Sequence, residues 1–481
     1  MFRFTTIGLL IVGCSAALFG QNPLSYTITT PKPISPAAGS TNPSALATQS
    51  LNPYLGSVPG GKLIPGELKL TLQDAIRRGL EFNLGLVESR QADAVVQAER
   101  ARAFSALLPE ISARAEQSFQ QMSLSSIGLR VPAQAGFRLP PTTGAFGYSE
   151  GRFVIRYSAF DPALIANYKA KRAEESASAL STRDSRDVVV LVVGTAYFQV
   201  VSSEARLATA RAALASARQF QAQVAHEFEA EVTPEIDSIR ASVELHAAEQ
   251  RVADAENDLE IDKLTLDRIA GIPLEQKWSP ARGYGYTPLL EQSARQTRFD
   301  LESARLSVSA AQLDVKSAGA QRLPSVSIEA AYGTGGMNPG NYNQVYSVSA
   351  AVSVPLFTGG RIRSDVREAE ARLAQRQSEF RDIEGRIAYD VRVARLDVQA
   401  SETAVKVAQG NKALAERALT QAADRYANGV TNDLEVVQAR EAVVNADENY
   451  IASLFSFNVA KISLARALGA AETRLATFFI E

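Results

Sequence analysis

Tyr426-Ala-Asn-Gly-Val-Thr-Asn-Asp-Leu-Glu435 closes a proline-free segment that begins near Gly360. With no helix breaker, the segment reads as one helix over about 361–427, on the order of 100 Å long at 1.5 Å per residue. Gly429 suits a left-handed turn, and Thr431 can cap a returning helix that runs to about Leu468. The pattern occurs twice. Gly271 and Gly469 are 198 positions apart, as are Val232-Thr233 and Val430-Thr431, and Phe160 and Phe357 are 197 apart. A near-constant offset across most of each half marks an internal duplication. The earlier copy has a long helix over about 163–230, a turn at Ala230-Glu231-Val232, Thr233 as a cap and Pro234 at the first helical position.

The bulk numbers exclude several function classes. The 481 residues carry 50 basic and 52 acidic side chains, a net charge of −2, so no overall charge marks a nucleic-acid binder. Beyond the first 20 residues no charge-free apolar run reaches about 18 residues, so no transmembrane helix is expected and a membrane role must use β-strands. One Cys and two His argue against a protein-built metal or haem site and leave no cofactor to expect. Low His also weakens an acid–base enzyme. Gly333-Thr-Gly-Gly336 lacks a following phosphate-loop Lys and reads as part of a strand-connecting loop over 333–340. No nucleophile–base set appears, and the chain reads as a non-enzyme.

Residues 1–20 have the Arg3, apolar stretch and small residues of a secretory signal. Ile11-Val-Gly-Cys14 resembles a lipobox, which would leave Cys14 lipidated. The other reading is a cysteine inside an ordinary apolar core, with cleavage near Ala17 or Gly20, and the apolar Ala16-Ala-Leu-Phe19 favours it. Residues 21–66, rich in Pro, Ser, Thr, Asn and Gly, read as a linker. A first repeat then spans 67–270, a linker 271–297, a second repeat 298–470 and a tail 471–481. Shorter helices are expected over about 71–107 (with Thr71 as N-cap), 235–270, 298–322 and 433–468. Leu108-Pro109 and Leu323-Pro324 end two of them, because the residue before proline disfavours helix.

After each Leu-Pro the hydrophobic period falls from about 3.6 to about 2. Strands are expected near 111–120 and 151–158, separated by a loop over 122–149, and near 325–332 and 345–354. Val326, Ile328, Ala330 and Tyr332 alternate with Ser325, Ser327, Glu329 and Ala331, and the other three strands repeat the scheme. One apolar and one polar face suits a barrel strand with lipid on one side and water on the other. Two short helices stacked end to end match one long helix, so a chain supplies four helical columns and four strands. Four strands cannot close a membrane barrel, for which roughly eight is the minimum. Three copies would supply twelve.

Leu108-Pro109, Leu323-Pro324, Val354-Pro-Leu-Phe-Thr-Gly-Gly-Arg361, Arg425-Tyr-Ala-Asn-Gly-Val-Thr431, Leu464-Ala-Arg-Ala-Leu-Gly469 and the duplication together resemble the TolC-type outer-membrane efflux protein family over about residues 67–470. The resemblance implies an α+β membrane protein: a homotrimer with a coiled-coil α-barrel reaching through the periplasm and a twelve-stranded β-barrel in outer-membrane lipid. It implies a passive exit channel of a tripartite efflux pump or type I secretion system. Its partners would be a periplasmic adaptor (membrane fusion) protein and an inner-membrane pump or ABC transporter. The periplasmic tips that meet the adaptor would be Ala230, Glu231 and Val232, and Asn428, Gly429 and Val430. Glu231 stands where the family carries Gly. Glu435 and Gln438 fall at the aperture places, with Asp237 and Arg240 opposite them by the repeat offset. Asp237 and Glu435 are equally first-turn acids favoured by the helix dipole. The competing readings are a periplasmic adaptor, which would carry one hairpin between small β domains, and a coiled-coil filament of the cell envelope.

Overall fold

The computed structural model describes residues 52–58, 60, 63, 65–123, 142–231, 233–281, 286, 298–337, 341–431 and 433–479. The signal at 1–20, Cys14, the larger part of the 21–66 linker, most of 271–297 and Val232 lie outside the described residues.

Helices dominate. The first two are α1 (Leu72–Phe82) and α2 (Leu84–Ser105). The long α3 (Pro162–Glu229) returns as α4 (Glu235–Ala270). In the second half α5 (Phe299–Ala320) precedes the long α6 (Arg361–Ala427), which returns as α7 (Asp433–Ala467). A short α8 (Ala471–Phe478) follows. The long helices have 68 and 67 residues, on the order of 100 Å each. Asp161 caps α3 by accepting from the Ala163 and Leu164 amides, with Pro162 at the first helical position. Gly271 and Gly469, the pair 198 apart, end α4 and α7 with φ of 70° and 71°.

The helix expected over 71–107 is two helices. Thr71 caps the first, its Oγ1 accepting from the Asp74 amide. At Asn83 the chain turns extended (φ −62°, ψ 129°). Asn83 is fully buried; its Nδ2 donates to the carbonyls of Tyr54 (2.7 Å) and Ile269 (3.2 Å), and its Oδ1 accepts from the Gly85 amide. The side chain replaces the helical backbone bonds, as Asn often does. The tail expected over 471–481 contains α8. Arg186 on α3 grips Glu472 at its start with two hydrogen bonds, and the Glu472 amide donates to buried Asp187.

The strands β2 (Glu110–Gln120), β3 (Phe146–Phe160), β5 (Ser325–Gly336) and β6 (Asn343–Ser353) form one antiparallel sheet in the order β2-β3-β5-β6. The short strands β1 (Leu68–Leu70) and β4 (Trp278–Pro280) pair in parallel beside the helices. Two expected loops are too long. Phe146–Ser149 belong to β3, and Gly333–Gly336 belong to β5. The glycines there answer a close approach. A Cβ at Gly333 would lie 2.0 Å from the Gly151 carbonyl oxygen across the strand pair, so the residue read as loop is a strand contact. The register puts Ile111, Phe119, Phe153, Ile155, Tyr332, Tyr346, Val348 and Val352 on one face, all exposed. Arg114, Glu116, Glu150, Arg152, Arg156 and Glu329 share the other face, paired as Arg114–Glu116, Arg152–Glu150 and Arg156–Glu329.

The main core is built on α3. Val189, Val190 and Val193 are fully buried, each contributing on the order of 1.5–3 kcal/mol. This helix contains an 18-residue window long and apolar enough to cross a membrane, which a search for charge-free runs passes over. Most of that window is buried, and α3 packs on α1, α2, α4, α5, α7 and α8.

Two predictions follow from these contacts. Asp267, buried near the end of α4, accepts a 2.7 Å hydrogen bond from the Trp278 indole. Burial raises its pKa to about 7 against that hydrogen bond and Lys263. An unfolded Asp titrates near 3.9, so between about pH 4 and pH 7 the native state keeps a proton that the unfolded state has lost. Stability therefore falls as pH rises through that window. Asp267→Asn keeps the indole bond, so its thermal midpoint in detergent should exceed wild type by a few degrees near pH 8 and match it near pH 4; equal midpoints throughout would refute the assignment.

The second concerns Glu231, whose φ of 58° makes it the left-handed non-glycine residue among those described. That backbone costs a non-glycine residue about 1–2 kcal/mol, partly offset by the greater unfolded-state entropy of glycine. Glu231→Gly should slow amide exchange over residues 226–240 by an amount equivalent to about 0.5–1 kcal/mol. Unchanged exchange would mean that Glu231 holds the turn without strain.

Candidate functional site: the hairpin tips

The two helix–helix turns use the same backbone. In the first, the Ala230 amide donates to the His226 carbonyl (3.0 Å) and the Glu231 amide to the Phe228 carbonyl (2.9 Å). In the second, the Asn428 amide donates to Asp424 (3.1 Å), Gly429 to Tyr426 (2.9 Å) and Val430 to Arg425 (2.9 Å). Gly429 takes φ 69°, and its counterpart 198 positions earlier, Glu231, takes nearly the same value. The duplication thus preserves the conformation where it loses the glycine.

The capping differs from expectation. Pro234 stands at the cap position, with Glu235 as the first helical residue, and no side chain caps α4. The Thr233 hydroxyl is buried without a hydrogen-bond partner among the described residues. The Thr431 hydroxyl donates to the Glu435 carboxylate. A Pro with a β-region backbone leaves no cap position for Thr233 to occupy.

Arg240 joins the hairpins. Its Nη1 lies 3.2 Å from Asp237 one turn earlier and 3.7 Å from Asp433 at the start of α7. Asp433 is 2% exposed. Burial and the nearby Asp237 carboxylate raise its pKa, and Arg240 opposes the rise. Glu435 is held within its own hairpin by Thr431 and by Arg425, 3.5 Å away. Within one chain, therefore, Glu435 is not paired with Asp237 or Arg240, and Gln438 is exposed. Val430 and Glu231 are exposed at the turns themselves.

A second link runs between the long helices. The Tyr426 hydroxyl donates to Glu227 over 2.6 Å, joining α6 to α3. Burial, with Glu227 next, pushes the phenol pKa upward, so it stays a donor at any physiological pH. Below it Phe220, Val224, Ala241, Ala422 and Val436 form a small apolar cluster, with the Tyr426 ring 6.0 Å from that of Phe220. Sequence reasoning missed Asp433, Tyr426, Glu227 and Arg425 as partners. Tyr426 and Arg425 lie inside the quoted turn motif, so their position was legible even where their contacts were not. Among the described residues no group of three His, Cys, Asp or Glu side chains is placed to hold a metal ion.

Comparison with known proteins places this architecture. Residues 290–470 match the family model described as outer membrane efflux protein. The chain is 22% identical over 319 residues to the outer membrane protein TolC of Vibrio cholerae, an alignment covering 63% of this chain and 72% of that protein. It is 27% identical over 311 residues to the outer membrane protein OprJ of Pseudomonas aeruginosa, covering 61% and 64%. Among solved structures, the Campylobacter jejuni CmeC outer membrane channel superposes with a TM-score of 0.72 at 16% identity, covering 92% of this chain and 94% of that one. VceC of Vibrio cholerae superposes with a TM-score of 0.69 at 20% identity, covering 83% and 96%. Residues 290–470 are thus similar to the outer membrane efflux protein family, and the chain shares the fold of solved outer membrane channels.

Proposed function

We propose that the protein is the outer-membrane exit duct of a tripartite efflux pump or type I secretion system. It passes cargo outward without catalysing a reaction. Three copies form a twelve-stranded barrel in outer-membrane lipid, continued by an α-helical tunnel through the periplasm. The observation that carries this reading is the sheet: four strands, apolar on one face and charged on the other, with both edge strands β2 and β6 paired on one side only. Such edges cannot stand in hydrocarbon, and further copies satisfy them. Support comes also from α6. Tyr389, Leu396, Val407 and Leu414 recur at spacings of seven and eleven on one face and are 57–67% exposed, a stripe that a neighbouring copy would cover.

The turns at Ala230, Glu231 and Val232 and at Asn428, Gly429 and Val430 would meet a periplasmic adaptor, which couples the duct to an inner-membrane pump or ABC transporter. Asp237, Arg240, Glu435 and Gln438 would line the aperture at the same end. In this reading the Tyr426–Glu227 and Arg240–Asp433 links hold the tips together, and opening parts them.

Planar-bilayer recording on detergent-extracted protein, with its mass measured alongside, tests the duct. A trimer with long-lived, mostly closed, cation-preferring pores is expected; a water-soluble species that never conducts would return the chain to the adaptor or filament reading. Tyr426→Phe removes one buried hydrogen bond, about 1 kcal/mol, and should raise the open fraction severalfold. Asp237→Ala with Glu435→Ala should weaken cation preference or raise conductance. Wild-type selectivity and current in that double variant would remove the acidic aperture from the reading.

A further inference from the structure

The apolar packing between the hairpins is not continuous. The main core descends along α3, α4, α6 and α7 to Leu207, Leu259 and Val405, while the tip holds its own cluster around Phe220 and Val436. Between the two lies a cavity of about 150 Å³, walled by all four helices through residues such as Ala213, Ala217, Glu244, Ala248 and Arg440. At 1.5 Å per residue, Arg440 and Glu244 stand roughly 10–15 Å above the turns.

Charged side chains interrupt an otherwise small and apolar cavity wall. Arg440 stacks over the Phe220 ring, 4.3 Å to its centre, and its Nη1 donates to the Ser216 carbonyl over 3.2 Å. Its nearest carboxylate, Glu244, is 3.9 Å away, beyond hydrogen-bond range. Both side chains are mostly buried, and Oε2 of Glu244 and Nε of Arg440 have no protein hydrogen-bond partner among the described residues. Burial lowers the pKa of the guanidinium and raises that of the carboxylate, so each is held short of full compensation by the other. Around the rim, Arg251 pairs with Glu441 and Lys412 with Asp447 at 2.7 Å. The unpartnered Glu244 and Arg440 atoms give water hydrogen-bond partners in a space of this size.

We propose that this charged cavity is a hinge built into the helical hairpins. It breaks the apolar contact between body and tip, so that the tip cluster moves as one piece while the core above stays packed. Close-packed apolar interfaces resist continuous deformation, whereas hydrated polar contacts exchange partners at little cost. The rim pairs keep α4 on α7 and α6 on α7 during the motion. The inference rests on the reading of the tips as the moving end of a duct and adds where that motion is centred.

The test fills the break. Arg440→Met with Glu244→Met replaces two facing charges by apolar chains of similar length, a change that is often neutral or stabilising for buried pairs. Amide exchange over residues 218–231 and 419–431 should slow by about tenfold toward the rate of the body. Spin labels at Glu229 and Asn428 should give a narrower distance distribution. Ala213→Met enters the same cavity and leaves every charge in place, so it serves if the double variant does not fold, with the same two changes expected. Unchanged tip exchange and label distances in a folded filled variant would overturn the hinge. Both readouts are taken on purified protein whether or not it conducts. Tips that stiffen in a protein that never forms pores would overturn the duct reading and leave the hinge standing.

Discussion

Everything in the fold answers to an unmet demand for hydrogen bonds. A four-stranded sheet with apolar residues on one face has two edges of backbone amides and carbonyls, and hydrocarbon offers them nothing. In the proposed duct the edge groups of β2 and β6 are satisfied by strands of further copies, and one chain is a sector of a closed wall. The helices obey the same requirement differently. Each of α3 and α6 satisfies its backbone internally along its whole length, so their side chains alone decide what they pack against. Tube geometry follows from joining the two: strands that need neighbours, continued by helices that need only a seam.

The duplicated halves have divided the work unequally. Helix α3 buries far more of its length than α6, although the two have 68 and 67 residues. Its Val-rich middle is the axis of the main core, while α6 leaves Tyr389, Leu396, Val407 and Leu414 uncovered. A helix with one apolar seam buried and another exposed belongs between two neighbours, one of its own chain and one not. The first half is thus the internal support of the chain, and in the proposed trimer the second half would be its mating surface.

Much of the fold was legible because the signals were periodic or punctuated. Pro109 and Pro324 mark helix ends to within a few residues, since a proline constrains its own backbone and that of the residue before it. The repeat offset identified the turns. What failed was local chemistry that composition does not carry. Asn83 breaks a helix because its amide finds the carbonyls of Tyr54 and Ile269, and the second is 186 residues away. Gly333 looks like a loop residue until its close approach to the Gly151 carbonyl across the sheet is known. At the tips the carboxylates at 237 and 435 were legible as first-turn acids. Their partners were not: Asp433, Tyr426 and Glu227 matter through contacts between hairpins, which a sequence pattern on one helix does not encode.

The tips also show why the proposed duct would be weakest where opening parts it. A cluster of five buried apolar residues is too small to hold four helix ends together by area alone. The additional hold comes from Tyr426–Glu227 and Arg240–Asp433, two polar links between hairpins. Polar links lose little when broken in water, because the freed groups hydrate, whereas separating an apolar core exposes area with no compensation. The buried aspartate, destabilised by burial and by Asp237 and held by Arg240 and backbone amides, would leave the proposed closed tip a margin that a partner's binding can overcome.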